Sequence, residues 1–479
     1  MGGPGSEYTE GLKLWIGFLC LSLGASEVVK EADVKTLTSI VSFLASDALE
    51  GRDTPSAGLM ISSEYIASEF RRQGLKPGPG GTYFQEAKVA VRRVIREGFS
   101  VSFHDGTTTV TIPTETAIWS AGPKVELNAA AVRRMSAAEL KEWKQESVEP
   151  VVLLEGPGAP GMQQGVMKLA AAGAKLIVMI NLPMPLPSAT LEFDDQPKTT
   201  LVMLRTADKD AEALLKSGVA LTATASIAEA SSKQEVVRNV IGILEGSDAA
   251  IKDEYVVLTA HYDHLVIKPN DQGDKVYNGA NDNASGVASI IESARLISQL
   301  PVAPKRSVLF IAFFGEERGL LGSRYLMRHP VLPLKQMVAN LNLEQTGRTD
   351  SSEGPNVGQA NLTGYHFSTI YKYLEEAGKA TDLKIVKHEK FNEPYFMASD
   401  NAAFAPAGVP SATLSVTYAF SDYHQQGDEW EKIDYTNMAK VTRAAAQAVY
   451  LMADAVERVV WNADEPKTKG YREAAEKLK

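Results

Sequence analysis

Two adjacent glutamates, Glu316 and Glu317, close the apolar run "SVLFIAFFGEE". Carboxylates side by side repel one another, and burying them is costly unless each finds a partner. A solvated turn is the ordinary reading of such a pair. Three other apolar stretches, however, also lead to a side chain that can hold a metal. "EYVVLTAHYDH" delivers His261, "MVANLNLE" delivers Glu344, and "PSATLSVTYAFSDYH" leads to His424. A fifth donor, Asp282, stands in "NGANDNASG", directly before an amphipathic stretch. Imidazoles and carboxylates without a thiolate are a donor set that zinc accepts, with a position left open for water. The carboxylates suffice for two metals sharing one of them, an arrangement that clamps attacking and departing atoms. One glutamate of the pair can then ligate while its neighbour takes a proton. Singly, each residue has a plain structural reading, since strand-end histidines are mostly solvated and an aspartate before a helix is mostly an N-cap. Their joint placement at the ends of separate apolar segments is what points to a metal centre.

Those segments belong to a region in which apolar strands alternate with helices, from "VVRNVIGILEGSD" to about residue 460. The alternation predicts an α/β layer architecture with a mixed, mostly parallel central sheet flanked by helices. In open α/β sheets the ligand crevice lies outside the carboxyl ends of the strands, where these donors would converge. The helix "GVASIIESARLISQL" places Val287, Ile290, Ile291, Ala294 and Ile297 on one face. Upstream, "DVKTLTSIVSFLASDALEGRD" and "AGLMISSEYIASEFRRQGLKPG" read as amphipathic helices, and residues 27–88 are expected to join the main domain at 229–465. Between residues 89 and 228 the texture changes. Alternation in "SVSFHDGTTTVTI", buried strands in "EPVVLLEG" and "KLIVMIN", and a helix in "GMQQGVMKLAAAGA" predict a smaller β-rich α/β unit inserted there. Residues 466–479 read as a C-terminal tail, either a solvated helix or a frayed end.

Composition narrows the function classes. A net charge of -10 over 479 residues, without a lysine- or arginine-rich block, leaves no footprint for nucleic acid or an anionic membrane. The single cysteine, Cys20, rules out an internal disulfide framework and thiolate metal clusters. It lies in "LKLWIGFLCLSLGAS", a lysine followed by a short apolar run and then small residues, the layout of a secretory signal. Residues 1–26 are therefore expected to be a signal peptide and the protein to be secreted or periplasmic. The acids in "MGGPGSEYTEG" suit a signal's basic start poorly, so translation beginning near Leu12 and a buried helix start are the competing accounts. Neither a G-x-S-x-G elbow nor an HExxH helix occurs.

The stretches "TAHYDHL", "NGANDNASGVA", "AFFGEERGLLGS", "NLNLEQTG" and "SDYHQQGDEWEKIDY" resemble, in order and approximate spacing, the zinc aminopeptidases of peptidase family M28. The resemblance covers most of residues 230–460, and "FLASDALEGRDTPSAG" looks like the segment before the core in bacterial members. "VMKLAAAGAKLIVMIN" is similar to the protease-associated domain that some members insert. The resemblance implies the zinc-exopeptidase fold, two zinc ions, and a peptide substrate cleaved after its N-terminal residue. It implies that His261 and Glu344 hold one zinc, that Glu317 and His424 hold the other, and that Asp282 bridges them. Asp263 would orient the His261 imidazole, and Glu316 would be the general base. Family members often carry aspartate where Glu344 stands, and a related pattern has histidine where Asn401 stands. The rival readings are a carboxypeptidase of the same architecture, a single-zinc glutaminyl cyclase, and a binding module that kept the fold and lost the chemistry. Around the site, His264 is open between a local hydrogen bond and a shaping role, and Asp422 or Asp428 could orient His424. Glu50 and Arg52 read as an ion pair, while His104, His329, His366 and His388 read as surface or core residues without acidic partners at useful spacing.

Overall fold

The computed structural model describes residues 1–2, 28–156, 162–180, 186, 189–267 and 273–479. The apolar run around Cys20 and the cleavage site expected beside it lie outside the described residues. The strands of the larger sheet are β1 (Phe84–Arg93), β2 (Ala189–Phe193), β3 (Ser231–Leu244), β4 (Tyr255–His261), β5 (Ser307–Phe313), β6 (Met337–Glu344), β7 (Gln359–Leu362), β8 (Lys384–Val386) and β9 (Ser411–Ser415). Their order across the sheet is β8–β7–β9–β6–β4–β5–β3–β1–β2, with the short strand Lys76–Pro77 pairing to β3. The middle strands β9, β6, β4 and β5 run parallel. On one side β3, β1 and β2 pair antiparallel, and on the other β7 lies antiparallel to β9 and parallel to β8.

The middle strands are buried nearly throughout because both of their faces are covered. Val256, Leu258 and Ala260 of β4, with Val308, Phe310 and Ala312 of β5, enter one core. The alternate residues Val257, Leu309, Ile311 and Phe313 enter the core on the opposite face. The first core is roofed by α1 (Val34–Leu44), α2 (Ala57–Arg72), α3 (Ser285–Ser298) and α4 (Tyr435–Asp454), which contribute Leu37, Phe70, Ile291 and Val441 among others. α2 starts where the Ser56 hydroxyl accepts from the Leu59 N–H, and it stops ahead of Gly74, whose φ of +76° suits the left-handed residue that ends a helix. Among the described residues, no helix is long and apolar enough to cross a membrane.

Residues 100–227 supply a second, eight-stranded sheet. Its strands run in the order Thr109–Thr111, Ser100–His104, Thr222–Ile227, Val125–Ser136, Val151–Glu155, Leu176–Ile180, Val202–Thr206 and Ala117–Trp119. Its apolar clusters, built on residues such as Val101, Leu153, Val178 and Leu204, share no buried residue with the large core. The expected boundary at residues 88 and 89 falls inside β1, which stays paired with β3 from Phe84–Val240 out to Arg93–Ser231. β2 also returns from within this stretch to pair along the far edge of β1, from Val89–Phe193 to Arg93–Ala189.

Candidate metal centre

Sheet register delivers the first donor pair. In the parallel pairing of β4 and β6, Thr259 lies beside Asn342, so two residues further on His261 and Glu344 leave the sheet together. His261 Nε2 stands 3.0 Å from Glu344 Oε1 and 3.3 Å from Asp282 Oδ1. The other Glu344 oxygen accepts from the Ser399 hydroxyl at 2.6 Å, and the Asn342 amide donates to that hydroxyl at 2.9 Å. Glu344 is thus held from both sides despite its extra methylene. Removing this support with Ser399→Ala is expected to weaken zinc binding at this position about tenfold, measured by competition with a chelator. Unchanged affinity would mean that Glu344 needs no anchoring.

Asp282 lies in the irregular turn Ala280–Ala284 that leads into α3. It does not cap that helix. Instead the backbone N–H groups of Asn281 and Asp282 both donate to the Asp428 carboxylate at 3.0 Å. The flanking asparagines bind the turn after β6. Asn281 Oδ1 accepts from the N–H groups of Gly347 and Arg348 at 2.8 and 2.9 Å. Asn283 Oδ1 accepts from Gln345 at 3.1 Å, and its Nδ2 donates to the Leu343 carbonyl at 2.9 Å. Backbone groups thus take the Asn281 oxygen and both ends of the Asn283 amide in the buried "NDN", and the carboxylate between them faces the histidines.

The second set of donors gathers on the other side of Asp282. β5 ends at Phe313, and a turn through Gly315 (φ +68°) brings Glu316 and Glu317 over the strand ends. The Glu316 N–H donates to Asp263 Oδ1 at 3.0 Å. Glu317 Oε1 lies 2.8 Å from His264 Nδ1 and 3.3 Å from His424 Nε2. His424 Nε2 is 3.1 Å from Asp282 Oδ2. One oxygen of Asp282 therefore faces His261 and the other faces His424. Ligand atoms of His261, Asp282 and Glu344 lie within 4.8 Å of one another, and so do those of His264, Asp282 and Glu317.

All five donors expected from the sequence meet here, and one more joins them. His264 is completely buried against Glu317 and stands with it and Asp282 in the second group. The available signal was its position three residues after His261 in "HYDH", which residue type alone could not separate from a local contact. Asp263 does not orient His261 in the expected way. The imidazole Nδ1 is 3.1 Å from the main-chain carbonyl of Asp263 and 3.6 Å from its Oδ1, which is engaged by the Glu316 N–H. Neither neighbour of His424 orients its ring, because Asp428 holds the Asp282 turn and Asp422 pairs with Arg348 and Lys432 at 3.0 Å. The ring is instead stacked on Tyr423, with centroids 4.0 Å apart. Arg52 does not pair with Glu50; its guanidinium is spent on backbone carbonyls. His329 and His388 do have acidic partners, Asp195 at 2.8 Å and Glu353 at 2.9 Å, in pairs away from the centre.

Electrostatics show what these groups do without a cation. Burial opposes charge on His261, yet Glu344 and Glu316, helped by Asp263 and Asp282, raise its pKa well above the usual value. His424 is likewise opposed by burial but is raised to about 10 by Asp282 and Glu317. Burial and Asp282 push Glu317 upward, but His264 and His424 bring it down to about 2. Burial raises the Glu316 carboxyl well above the usual range; His261 opposes this, while Glu317, Glu344 and Asp400 add to it. Protons on the imidazoles occupy the place that cations would take, which is the competition expected at a metal site. Both ring nitrogens of His264, Glu317 Oε1 and Asp263 Oδ2 are buried without a hydrogen bond, although His264 Nδ1 approaches Glu317 Oε1 to 2.8 Å. Buried lone pairs left unsatisfied are costly, and a divalent cation between nitrogen and oxygen satisfies both. The residues fit zinc.

Residues 239–449 match the profile of peptidase family M28. Among curated proteins, "Aminopeptidase YwaD" of Bacillus subtilis (strain 168) is 28% identical over 286 residues, covering 58% of this chain and 57% of that protein. The chain thus spans little more than half the length of that relative. Among solved structures, an aminopeptidase from Aneurinibacillus sp. strain AM-1 superposes with a TM-score of 0.62 at 20% identity, covering 90% of this chain and 96% of that one. A zinc aminopeptidase from Bacillus subtilis gives 0.55 at 21% identity, covering 89% and 97%. At these identities the structural likenesses speak to the fold.

Proposed function

Residues 239–449 belong to peptidase family M28, and from that premise we propose that the chain is a dizinc aminopeptidase that removes the N-terminal residue of peptides. The observation that carries the proposal is Asp282, whose two oxygens face separate imidazoles, as a carboxylate shared by two cations must. His261 and Glu344 would hold one zinc, Glu317 with His424 and His264 the other, and Asp282 both. Zinc bound there supplies Lewis acidity, bringing the pKa of water toward neutrality and polarising the scissile carbonyl. The chain's own work falls to Glu316. Fixed through its N–H by Asp263, it takes the proton from the attacking water and returns it to the departing amine. The asparagine side chains of "NGANDNASG", bonded to the backbone at the end of β6 and the turn after it, keep Asp282 in place before substrate arrives.

Hydrolysis of aminoacyl anilides tests the reading. A chelator is expected to abolish the activity and added zinc to restore it, with about two zinc ions per chain in the restored protein. Activity indifferent to chelation would end the metallopeptidase reading. A single zinc together with cyclisation of N-terminal glutamine would favour a glutaminyl cyclase, and cleavage confined to N-terminally blocked peptides would favour a carboxypeptidase.

A further inference from the structure

Arg52 is completely buried, yet among the described residues its hydrogen bonds go to backbone carbonyls and none to a carboxylate. Its Nε donates to the Tyr262 carbonyl at 2.8 Å, Nη1 to the carbonyls of Asn278 at 2.7 Å and of Leu44, and Nη2 to the Gly279 carbonyl at 3.1 Å. Tyr262 sits between His261 and Asp263, and Gly279 lies three residues before Asp282. One guanidinium therefore ties together the two backbone turns that carry the first donors. Its neighbour in the chain turns the other way. Asp53 takes a bidentate grip on Arg318, with Nε at 3.0 Å and Nη2 at 2.7 and 2.8 Å, and Arg318 directly follows Glu317. Between them, residues 52 and 53 hold three of the five donor-bearing segments, those of His261, Asp282 and Glu317, while Glu344 and His424 are held elsewhere.

The backbone that presents them is strained. Glu50, Gly51 and Arg52 are successive left-handed residues with φ of +49°, +76° and +59°. Side chains other than glycine's rarely adopt this conformation, and it persists only where the surroundings hold it. A Cβ on Gly51 would collide with the carbonyl oxygens of Leu265 and Tyr277, so the turn is pressed directly against both segments. Burial pulls the Arg52 guanidinium down to about 10, with Asp263, Asp428, Asp282 and Glu317 opposing, so it remains charged at neutral pH. It thus places a fixed positive charge behind the carboxylates without occupying any of their lone pairs.

We propose that residues Glu50–Asp53 form a clip for the metal centre, with Arg52 the positioning residue for the His261 and Asp282 turns and Asp53 the positioning residue for the Glu316–Glu317 turn. The proposal rests on the zinc reading above. A guanidinium is needed at residue 52 because its planar fork reaches several carbonyls at once, which an ammonium cannot do.

The test uses the full chain and the variants Arg52→Lys, Arg52→Met and Asp53→Asn, with zinc as the probe in competition with a chromophoric chelator and kcat and KM measured alongside. Arg52→Lys is expected to bind zinc at least tenfold more weakly and Arg52→Met more weakly still, with kcat lowered and KM within twofold of wild type. The graded rescue by lysine separates charge from general packing. Asp53→Asn leaves Arg52 in place and is expected to weaken only one of the two zincs, the one at Glu317. Folded Arg52→Lys with zinc affinity and kcat within twofold of wild type overturns the role of Arg52. If the Arg52 variants do not fold, Asp53→Asn decides: selective loss of one zinc supports the clip, and two zincs bound as in wild type overturn it. A wild-type chain that binds no zinc brings down the reading of the centre itself, and the clip with it.

Discussion

Glu316→Gln is expected to lower kcat by about 10²- to 10⁴-fold while zinc content and fold stay as in wild type. The substitution keeps the shape of the side chain and leaves the N–H to Asp263 untouched, since that contact is made by the backbone. What it removes is the capacity to carry a proton. Glu316 belongs to neither donor group, so the cations keep their ligands. It also lies among like charges, since Glu317, Glu344 and Asp400 all raise its pKa. Neutralising it relieves that repulsion already in the empty site and removes one negative charge near the cations, so zinc affinity is expected to hold or fall slightly. Steady-state kinetics paired with metal analysis check both halves. Full turnover would remove Glu316 from the role of base, and loss of zinc would make it a ligand instead.

Much of this centre was legible in the sequence for a topological reason. β4, β5 and β6 are covered on both faces, so each is rich in apolar residues, and the metal-capable residue at or just beyond its end stands out. Parallel neighbours end on the same side of a sheet, so those polar residues had to converge. The contributions that stayed hidden are made by backbone atoms or by contacts remote in sequence. Arg52 meets carbonyls at Tyr262, Asn278 and Gly279, and nothing near Arg52 encodes partners so far along the chain. Asp428 reads as a neighbour of His424 but serves the N–H groups of Asn281 and Asp282. Asp263 orients the imidazole with its carbonyl, a group every residue carries, which leaves no mark on residue type. The limit of β1 was obscured for a different reason. Alternation in "AKVAVRR" continues past residue 88 in the same pattern as the strands that follow, so composition does not reveal that Val89–Arg93 remain paired with β3.

The sharing of Asp282 gives the centre an asymmetry that mutation can expose. Among the described residues Asp282 is common to both donor groups, so on the dizinc proposal Asp282→Ala would take a ligand from each cation at once. Its zinc content after dialysis is expected to fall to nearly none, with hydrolysis below detection. His424→Ala removes a ligand from only one group, whose other members His264 and Glu317 remain 2.8 Å apart, and about one zinc per chain should stay at His261 and Glu344. The anchors of the turn survive Asp282→Ala, because the Asp428 carboxylate holds backbone N–H groups and the asparagine amides hold the β6 turn. The variant should therefore fold, and its melting temperature should not respond to zinc. Wild type should respond, since a ligand present at 1,000 times its Kd stabilises a folded protein by about 4 kcal/mol. Thermal melts of both proteins with and without zinc, set beside metal analysis, make the comparison. Equal zinc content in Asp282→Ala and His424→Ala would mean that the two cations are held independently and that Asp282 joins only one of them.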